Sequence, residues 1–276
     1  MTGPSADKRA GNGRRRFVAP LRDEVDAACF RHPLFDGYAD YLGLMAAPTW
    51  PDIELINACL PVPGHRFVQQ DQALLADGLH YETRIAQGRI ATRPCNWHDL
   101  FNAMVWARHP AIKRALNQQQ CLHIARMGPA QRNHAQQALT QFDETGVIVR
   151  VRDAALLEAW DRHDWAALFH ANAACWHSGD IAIAAVIGHA LMEQRLVPGR
   201  LLVGKCVVVL GDDDAACVAR VADALAAGAI VAEPAALRPL PLAGIPGWHD
   251  SQEIGFYAFA EYFRPLREGR VYPQPL

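Results

Sequence analysis

The sequence predicts an α+β protein that is mostly helical and has a small sheet. Helical hydrophobic patterns occupy much of the chain, and residues 147–151 and 201–210 have the β-branched, apolar character of strands. An alanine-rich helical segment follows the second strand, which permits one βαβ-like unit. Hydrophobic residues make up 51% and charged residues 20% of the chain, as expected of a globular protein rather than a disordered or fibrous one.

The N-terminal half is expected to consist of helices and ordered loops. Residues 21–63 are aromatic and interrupted by prolines, which predicts short helices between packed loops. Residues 65–87 are expected to hold one helix or two. A helix then begins near Asn96 and ends before Pro110. At about 100° per residue, its apolar side is formed by Trp97, Leu100, Phe101, Met104 and Val105.

The C-terminal half is expected to carry the sheet. Helices are predicted at residues 111–117, 129–141, 153–171, 181–196 and 213–227, and strands at residues 147–151, 201–210 and 229–232. Residues 238–276 are rich in proline and aromatic residues, so they are predicted to wrap the body as ordered loop.

Length, charge and cysteine content limit the class of protein. Residues 1–20 are polar and basic and are predicted to form a flexible tail. The chain has 276 residues, a length that suits a single globular domain at residues 21–276. Lys and Arg number 27 against 29 Asp and Glu, so there is no global charge signal for nucleic acid. No apolar run reaches the roughly 20 residues that span a bilayer. Seven cysteines without a C-x-x-C pair indicate reduced thiols and favour the cytoplasm.

The helix that begins near Asn96 carries the first candidate site. His98 and Asn102 lie four residues apart and therefore on one side of the helix, with Asp99 roughly 100° round from His98. Imidazole and carboxylate groups suit divalent metals and proton transfer. Asn96 and Asp99 have an alternative role, because an N-cap Asn with an acid three residues later approximates a capping box. Capping does not require His98 or Asn102.

A second candidate pair is His189 and Glu193, which are also four residues apart. The segment before them is apolar on every side, which predicts burial, and a buried ionisable pair is costly unless it is mutually bonded or coordinated. The pair is half of a metal site or a self-satisfied hydrogen bond.

Adjacent carboxylates at Asp143 and Glu144 form a third candidate, where oxygen ligands could hold a cation. The same residues beside Gly146 are also typical of a turn. Lys113, Arg93 and Arg84 could contact an anion, although scattered basic residues are usually solvated. Phosphate-binding glycine loops, the nucleophile elbow and the H-E-x-x-H zinc motif are absent from the sequence.

Many of these residues belong to a pattern that resembles the bacterial DUF3025 family, a family without an assigned activity. The pattern comprises Tyr81, Glu82, Thr92, Arg93, residues 96–103, Val105, Trp106, Pro110, Lys113, Leu116, Asn117, Asp143, Glu144, Gly146, residues 188–190, Glu193, residues 239–242 and residues 244–248. The resemblance implies a set of polar residues that belongs to the family's pattern and is called the polar motif below. This motif includes Glu82, Arg93, His98, Asp99, Asn102, Asp143, Glu144, His189 and Glu193. His109 stands where the family usually has a bulky aromatic residue, so no role is expected for it.

The sequence therefore favours a metal-dependent hydrolase, in which side chains from three segments converge on one or two divalent ions that activate water. The metal ligands are expected to be His98, Asp99, Asp143, Glu144, His189 and Glu193. The catalytic residues are expected to be His98, Asn102 and Glu193, and the substrate-binding residues Glu82, Arg93 and Lys113.

Two other functions are compatible with the same residues. One is a helical phosphohydrolase, with His98 and Asp99 as its metal-binding dyad and with His65 or His80 upstream. The other is a non-catalytic binding or assembly protein, in which the Asn96 helix and residues 246–248 form a recognition surface and the polar motif is structural.

Overall fold

A computed structural model describes residues 17–129 and 131–276 of the chain. Most of the predicted tail, residues 1–20, lies outside the described residues. The described part is α+β, as predicted, and its helices surround a four-stranded sheet and a separate two-stranded sheet. None of the described helices combines the length and the apolar character needed to cross a membrane.

The α-helices are α1 Leu42–Met45, α2 Ile53–Cys59, α3 Gln72–Leu75, α4 Tyr81–Ala86, α5 Trp97–Arg108, α6 Pro110–Met127, α7 His134–Thr145, α8 Leu157–Asp161, α9 Ala173–His177, α10 His189–Arg195 and α11 Asp214–Ala226. The strands are β1 Arg66–Gln69, β2 Arg89–Thr92, β3 Gly146–Val151, β4 Ile181–Val186, β5 Val203–Leu210 and β6 Arg238–Pro241. Short 3-10 segments span Arg22–Glu24, Ala27–Arg31, Pro33–Tyr41, Ala154–Leu156, Pro234–Ala236, Leu242–Gly244 and Ile254–Ala258, and a π-helical turn spans Ala166–Ala171.

The larger sheet has the strand order β4-β3-β5-β6. β3 runs parallel to β5 and antiparallel to β4, and every residue of β3 is buried because elements cover both of its faces. α7 leads directly into β3 at Gly146, while β4 ends at Val186, which is paired with Val147. The C-terminal end of α7 and the start of α10 therefore meet at one end of the sheet.

α5 crosses the centre of the molecule and is buried along most of its length. Its Trp97 and Phe101 rings stack with their centroids 5.5 Å apart, and both belong to the hydrophobic core. α5 packs against both α10 and α6, and α6 also packs against α4 and α11. This arrangement brings polar residues of α4, α5, α6, α7 and α10 to one region.

Some predicted elements differ from those observed. Residues 181–196 were expected to form one helix, but residues 181–186 form β4 and the helix begins only at His189. A short run that is apolar on every side satisfies the burial demands of a central helix and of a strand equally well. The predicted helix at residues 111–117 continues as α6 to Met127, and the region 65–87 contains β1 in addition to helices.

The predicted strand at residues 229–232 is also wrong, and the fourth strand is β6 instead. Gly228 and Val231 have positive φ values of 67° and 60°, which interrupt an extended backbone. β6 contains two prolines and lies at the edge of the sheet, a position where the missing backbone N–H is tolerated.

Candidate active site

Buried polar side chains are concentrated around one cavity of about 300 Å³. The described residues include ten buried polar or charged side chains, and six of them line this cavity: Asp99, Asn102, Lys113, Asn117, Gln136 and His189. The other four are Arg84, Thr92, Arg150 and Arg238. Polar groups that only stabilise a core need no common cavity, so their concentration marks this cavity as the candidate site.

Two histidines and a carboxylate from α5 and α10 form a continuous hydrogen-bonded chain. Nδ1 of His98 lies 3.1 Å from Oε2 of Glu193, and Nε2 of His98 lies 3.0 Å from Nε2 of His189. A hydrogen bond between two ring nitrogens needs a proton on one and a lone pair on the other. The contact therefore depends on the protonation states of both rings.

His189 is the buried member of this chain, with 3% of its surface exposed. Burial lowers its pKa well below the ordinary value, and the nearby charges of Lys113 and His98 act in the same direction. An interaction with the backbone carbonyl of Asp143 opposes this effect, although Nδ1 of His189 makes no hydrogen bond of regular geometry. His189 is therefore neutral at pH 7, and its Nε2 either donates or accepts the hydrogen bond to His98.

Lys113 of α6 connects three helices. It is 4% exposed, and its Nζ donates to Oδ1 of Asn102 over 2.8 Å and to Oδ1 of Asp143 in a shorter ion pair. Nδ2 of Asn102 in turn donates to the hydroxyl of Tyr81 over 3.2 Å. Nζ also lies 5.5 Å from the centroid of the Trp106 ring, within the range of a cation–π interaction. The ammonium group thus fixes the orientation of Asn102 and Asp143.

Glu82 of α4 is a carboxylate with a neutral partner. Nδ2 of Asn117 donates to its Oε2 over 2.7 Å and to its backbone carbonyl over 2.9 Å. Burial raises the pKa of Glu82 to about 7, and the charge of Asp143 raises it further, while the Asn117 hydrogen bond and Lys113 oppose the rise. Glu82 can therefore exchange a proton near neutral pH.

Glu144, at the end of α7, is a second carboxyl group with a raised pKa. Burial raises its pKa, with the charges of Asp143 and Glu193 adding to the effect and those of His98 and Arg132 opposing it. Within residues 17–129 and 131–276, neither Glu82 nor Glu144 forms an ion pair with Lys, Arg or His. Two carboxylates that line the cavity thus lack an ion-pair partner, and of these Glu82 is partly buried whereas Glu144 is exposed to solvent.

Asp99 has a different role from the capping-box acid considered from the sequence. Asn96 caps α5 as expected, because its Oδ1 accepts the backbone N–H of Asp99 over 3.0 Å. The Asp99 carboxylate instead accepts bonds from Nε and Nη2 of Arg93 over 3.0 and 2.7 Å and from the Arg93 backbone N–H over 2.6 Å. Asp99 and Arg93 therefore form an ion pair at the cavity wall.

The remaining predicted residues are also located by the structure. Of the nine polar-motif residues, Glu193 contacts His98 without lining the cavity itself, and the other eight line it: Glu82, Arg93, His98, Asp99, Asn102, Asp143, Glu144 and His189. Lys113 lines it as well. His80 is at the cavity, but its ring accepts the backbone N–H of Glu82 and so caps α4. His65 lies elsewhere, against the Trp106 ring.

Tyr81 and Asn117 were not recognised as site residues from the chemistry of the sequence. Asn117 lies one helical turn after Lys113 on α6, so spacing alone could have placed both on the same side. Nothing local predicts that the Tyr81 hydroxyl faces Asn102, because that contact joins α4 to α5.

The His, Asp and Glu side chains at the cavity are also of the types that bind metal ions. In the described parts of the chain, no group of three or more His, Cys, Asp or Glu side chains is arranged to hold a metal ion. Nε2 of His98 and Nε2 of His189 face each other at 3.0 Å, so an ion bound by both would have to displace their hydrogen bond. The observed arrangement fits proton transfer more directly than coordination.

The close approach of α10 to α7 depends on Gly188. A Cβ at this position would lie 2.5 Å from Cα of Thr145 and 2.7 Å from the carbonyl oxygen of Glu144. We expect Gly188→Ala to lower the free energy of unfolding by roughly 1–3 kcal/mol, since backbone atoms must shift to admit the methyl group. Urea unfolding would measure this loss. Gly37→Ala is the control, because its Cβ would meet no atom within 4 Å; equal effects of the two substitutions would contradict the prediction.

The chain is an α+β protein with a cavity lined by histidine and carboxylate side chains. The family model described as "Protein of unknown function (DUF3025)" matches residues 65–267, and the chain belongs to this family. The match includes every residue of the cavity described above. No curated protein matches the chain, and no solved structure does so either.

Proposed function

We propose that the cavity is the active site of a hydrolase that acts on a small polar molecule by acid–base catalysis. The observation that carries this proposal is the uncompensated, partly buried carboxylate of Glu82, which lies in a cavity that six of the ten buried polar side chains also line. Holding the Glu82 carboxylate partly out of water without a cationic partner costs free energy, which a purely structural role does not require.

Glu82 is the group best suited to transfer protons. A general acid or base is most effective when its pKa is near the working pH, and burial raises the pKa of Glu82 to about 7. Its hydrogen bond from Asn117 fixes the position of Oε2 and leaves the other carboxyl oxygen for a substrate or a water molecule. In this role Glu82 removes a proton from water and returns it to the leaving group.

The hydrogen-bonded series of Glu193, His98 and His189 supplies a second path for proton transfer. Glu193 orients the His98 ring, as a carboxylate does in other catalytic histidine pairs, and the side chain of His98 is 29% exposed. Asn102 and Lys113 act as positioning residues, because they hold Asp143 and the Tyr81 hydroxyl at the cavity wall.

A metal-dependent hydrolase is the second candidate, and the surplus of carboxylates favours it. Carboxylate oxygens are ordinary ligands of divalent cations. A metal bound by both His98 and His189 would require their rings to separate, and the catalytic role of Glu82 does not depend on a metal. This candidate shares the cavity with the first and differs from it in one measurable respect, the effect of metal removal.

Turnover of a panel of carboxylic esters, amides and phosphate esters by the purified full-length chain tests the proposal. We expect hydrolysis of at least one class, with the rate unchanged after exhaustive chelation and dialysis. Loss of the rate on chelation, and its recovery with Zn²⁺ or Mn²⁺, would replace the proposal with the metal-dependent candidate.

Two histidine variants, one in the cavity and one outside it, show whether the turnover arises in the cavity. His98→Gln should abolish most of the turnover, whereas His134→Ala, at the exposed start of α7, should retain it. Absence of turnover on every class would contradict the hydrolase. It would favour the non-catalytic binding or assembly protein if His98→Gln also did no more than lower the thermal stability.

A further inference from the structure

We infer that the cavity takes a neutral acyl substrate, a carboxylic ester or amide, whose carbonyl oxygen receives a hydrogen bond from the hydroxyl of Tyr81. This inference rests on the proposed function, since it names the substrate class and a further catalytic residue of the same site. It follows from the direction of the hydrogen bonds that join Lys113, Asn102 and Tyr81.

The hydrogen bonds from Lys113 to Tyr81 have one possible direction. The ammonium group of Lys113 has no lone pair, so the atom of Asn102 that lies 2.8 Å from Nζ is the acceptor, Oδ1. Nδ2 of Asn102 therefore faces the Tyr81 hydroxyl at 3.2 Å, and an amide nitrogen can only donate. The hydroxyl oxygen is the acceptor in this contact, and its own hydrogen points elsewhere.

The hydroxyl hydrogen of Tyr81 is available to a ligand. Among residues 17–129 and 131–276 no acceptor receives it, and Tyr81 lines the cavity together with Glu82, the next residue of α4. Burial raises the pKa of Tyr81, the charges of Glu82, Asp143 and Asp99 add to the rise, and the hydrogen bond from Asn102 opposes it. The hydroxyl therefore stays protonated at neutral pH and keeps a hydrogen to donate.

The cations at the cavity favour a neutral substrate over a phosphate ester. Phosphate groups are ordinarily held by Lys and Arg side chains that are free to donate to their oxygens. Lys113 is already paired with Asp143. Arg93 is paired with Asp99, and Arg132 is exposed to solvent. A single neutral O–H donor inside the cavity suits the carbonyl oxygen of an ester or amide.

The size and the apolar lining of the cavity limit the hydrocarbon part of the substrate. Three buried aliphatic side chains line it: Ile85, Leu116 and Leu139. Its volume of about 300 Å³ lies at the lower end of the roughly 300–1,000 Å³ found for small-molecule sites. The cavity therefore fits a small ester or amide better than a long acyl chain.

Tyr81 acts on the charge that develops during hydrolysis. Glu82 removes a proton from water, and the water oxygen forms a bond to the carbonyl carbon. The electron pair of the C=O double bond moves to the carbonyl oxygen, and the Tyr81 hydroxyl stabilises this oxyanion. When the pair re-forms the double bond, the bond from carbon to the leaving oxygen or nitrogen breaks, and that atom takes the proton from Glu82. The products are a carboxylic acid and an alcohol or amine.

Tyr81→Phe removes the hydroxyl and keeps the ring. We expect kcat for an ester or amide to fall by about 10²–10³-fold, the usual effect of losing one oxyanion donor, with a much smaller change in KM. Tyr257→Phe is the matched control and should keep the natural rate, because Tyr257 is a buried tyrosine outside the cavity that packs against Phe169 and Phe263. An unchanged kcat in Tyr81→Phe would overturn the inference, as would turnover of phosphate esters alone.

Asn102→Asp tests the direction of the hydrogen bonds while the Tyr81 hydroxyl is kept. A carboxylate at this position accepts from Lys113 with one oxygen and from the hydroxyl with the other, so the hydroxyl hydrogen turns away from the substrate. We expect a loss of kcat similar to that of Tyr81→Phe, and a double variant that loses no more than about twofold beyond either single variant. Losses that multiply in the double variant would contradict the inferred direction.

A ketone that cannot be hydrolysed tests the hydrogen bond without turnover. Cyclohexanone should bind the natural full-length protein, and it should bind Tyr81→Phe about fivefold more weakly, the effect of one lost hydrogen bond of about 1 kcal/mol. The anion cyclohexanecarboxylate should bind the natural protein less tightly than the ketone does. Isothermal titration calorimetry measures these affinities, and equal binding of the ketone by both proteins would overturn the inference.

Failure of this inference is distinguishable from failure of the proposed function. Hydrolysis that is independent of Tyr81, by a protein that binds the ketone equally with and without the hydroxyl, would sustain the hydrolase and reject the inferred donor. Tyr81-dependent binding of the ketone by a protein that hydrolyses nothing would reject the hydrolase and support the carbonyl site.

Discussion

Glu82→Gln is expected to reduce the rate of hydrolysis by about 10²–10⁴-fold, the usual contribution of a general acid or base. The amide preserves the size of the side chain and can still accept the hydrogen bond from Asn117, so the cavity should keep its shape. The rate should be measured on the substrate identified by the panel of esters and amides. A rate that is unchanged would remove Glu82 from the catalytic residues.

The same variant should be more stable than the natural protein above neutral pH. Burial raises the pKa of Glu82 from 4.5 to about 7, so the folded protein binds a proton that the unfolded chain has already lost. The stability of the natural protein therefore declines as pH rises from about 4.5 through about 7. Glutamine has no charge to bury, and the variant should avoid this decline.

The expected gain is roughly 1–3 kcal/mol at pH 8 and close to zero at pH 4, given about 1.4 kcal/mol per pH unit and the partial exposure of Glu82. Urea unfolding at both pH values measures it. Glu158→Gln should change the free energy of unfolding by no more than about 0.5 kcal/mol at either pH, because surface substitutions seldom exceed this. A Glu82→Gln variant destabilised equally at both pH values would contradict the burial argument.

Local signals predicted α5 well because its features depend on near neighbours in the chain. Asn96 caps the helix, Trp97 and Phe101 form its buried side, and the helix ends before Pro110. Each of these follows from interactions within about one or two turns. The presence of a histidine and a carboxylate beside the apolar side was therefore visible in the sequence.

The contacts that assemble the cavity were not predictable in the same way. His98 and His189 are bonded although 91 residues separate them, because α5 packs against α10. Prediction of that contact requires the strand β4, which returns the chain to the end of α7, and β4 was expected to be helical. Its six residues, all apolar, carry no period that distinguishes a strand from a buried helix.

The chemical types of the residues predicted more of the site than the expected order of helices and strands did. Lys113 and Asp143 were singled out as polar residues of types used in binding, and Glu82 through the family resemblance, although their shared cavity depends on tertiary packing. The role of Asp99 was less visible, because a capping acid and an ion-paired acid are identical in sequence. Only the position of Arg93 relative to the helix start distinguishes the two.

Lys113→Met is expected to lower the free energy of unfolding by about 2–4 kcal/mol, since it removes the cation of a largely buried ion pair while keeping a side chain of similar length. Asp143 and Asn102 would each lose their bond to Nζ. The Asp143 side chain is 30% exposed and recovers some solvation, which places the loss below that of a fully buried pair. Urea unfolding measures this loss.

The double variant Lys113→Met with Asp143→Leu determines whether the loss comes from the uncompensated carboxylate. If it does, the second substitution should recover at least about 1 kcal/mol, because the buried charge no longer lacks a partner. The exposed pair Arg162 and Glu158, with side chains 71% and 66% exposed, is the matched control and should show a coupling of no more than about 0.5 kcal/mol. Additive losses at Lys113 and Asp143 would mean that the cavity wall is held by packing rather than by this ion pair. The positioning role assigned to Lys113 would then be wrong, whereas strong coupling together with reduced turnover in the single variant would support it.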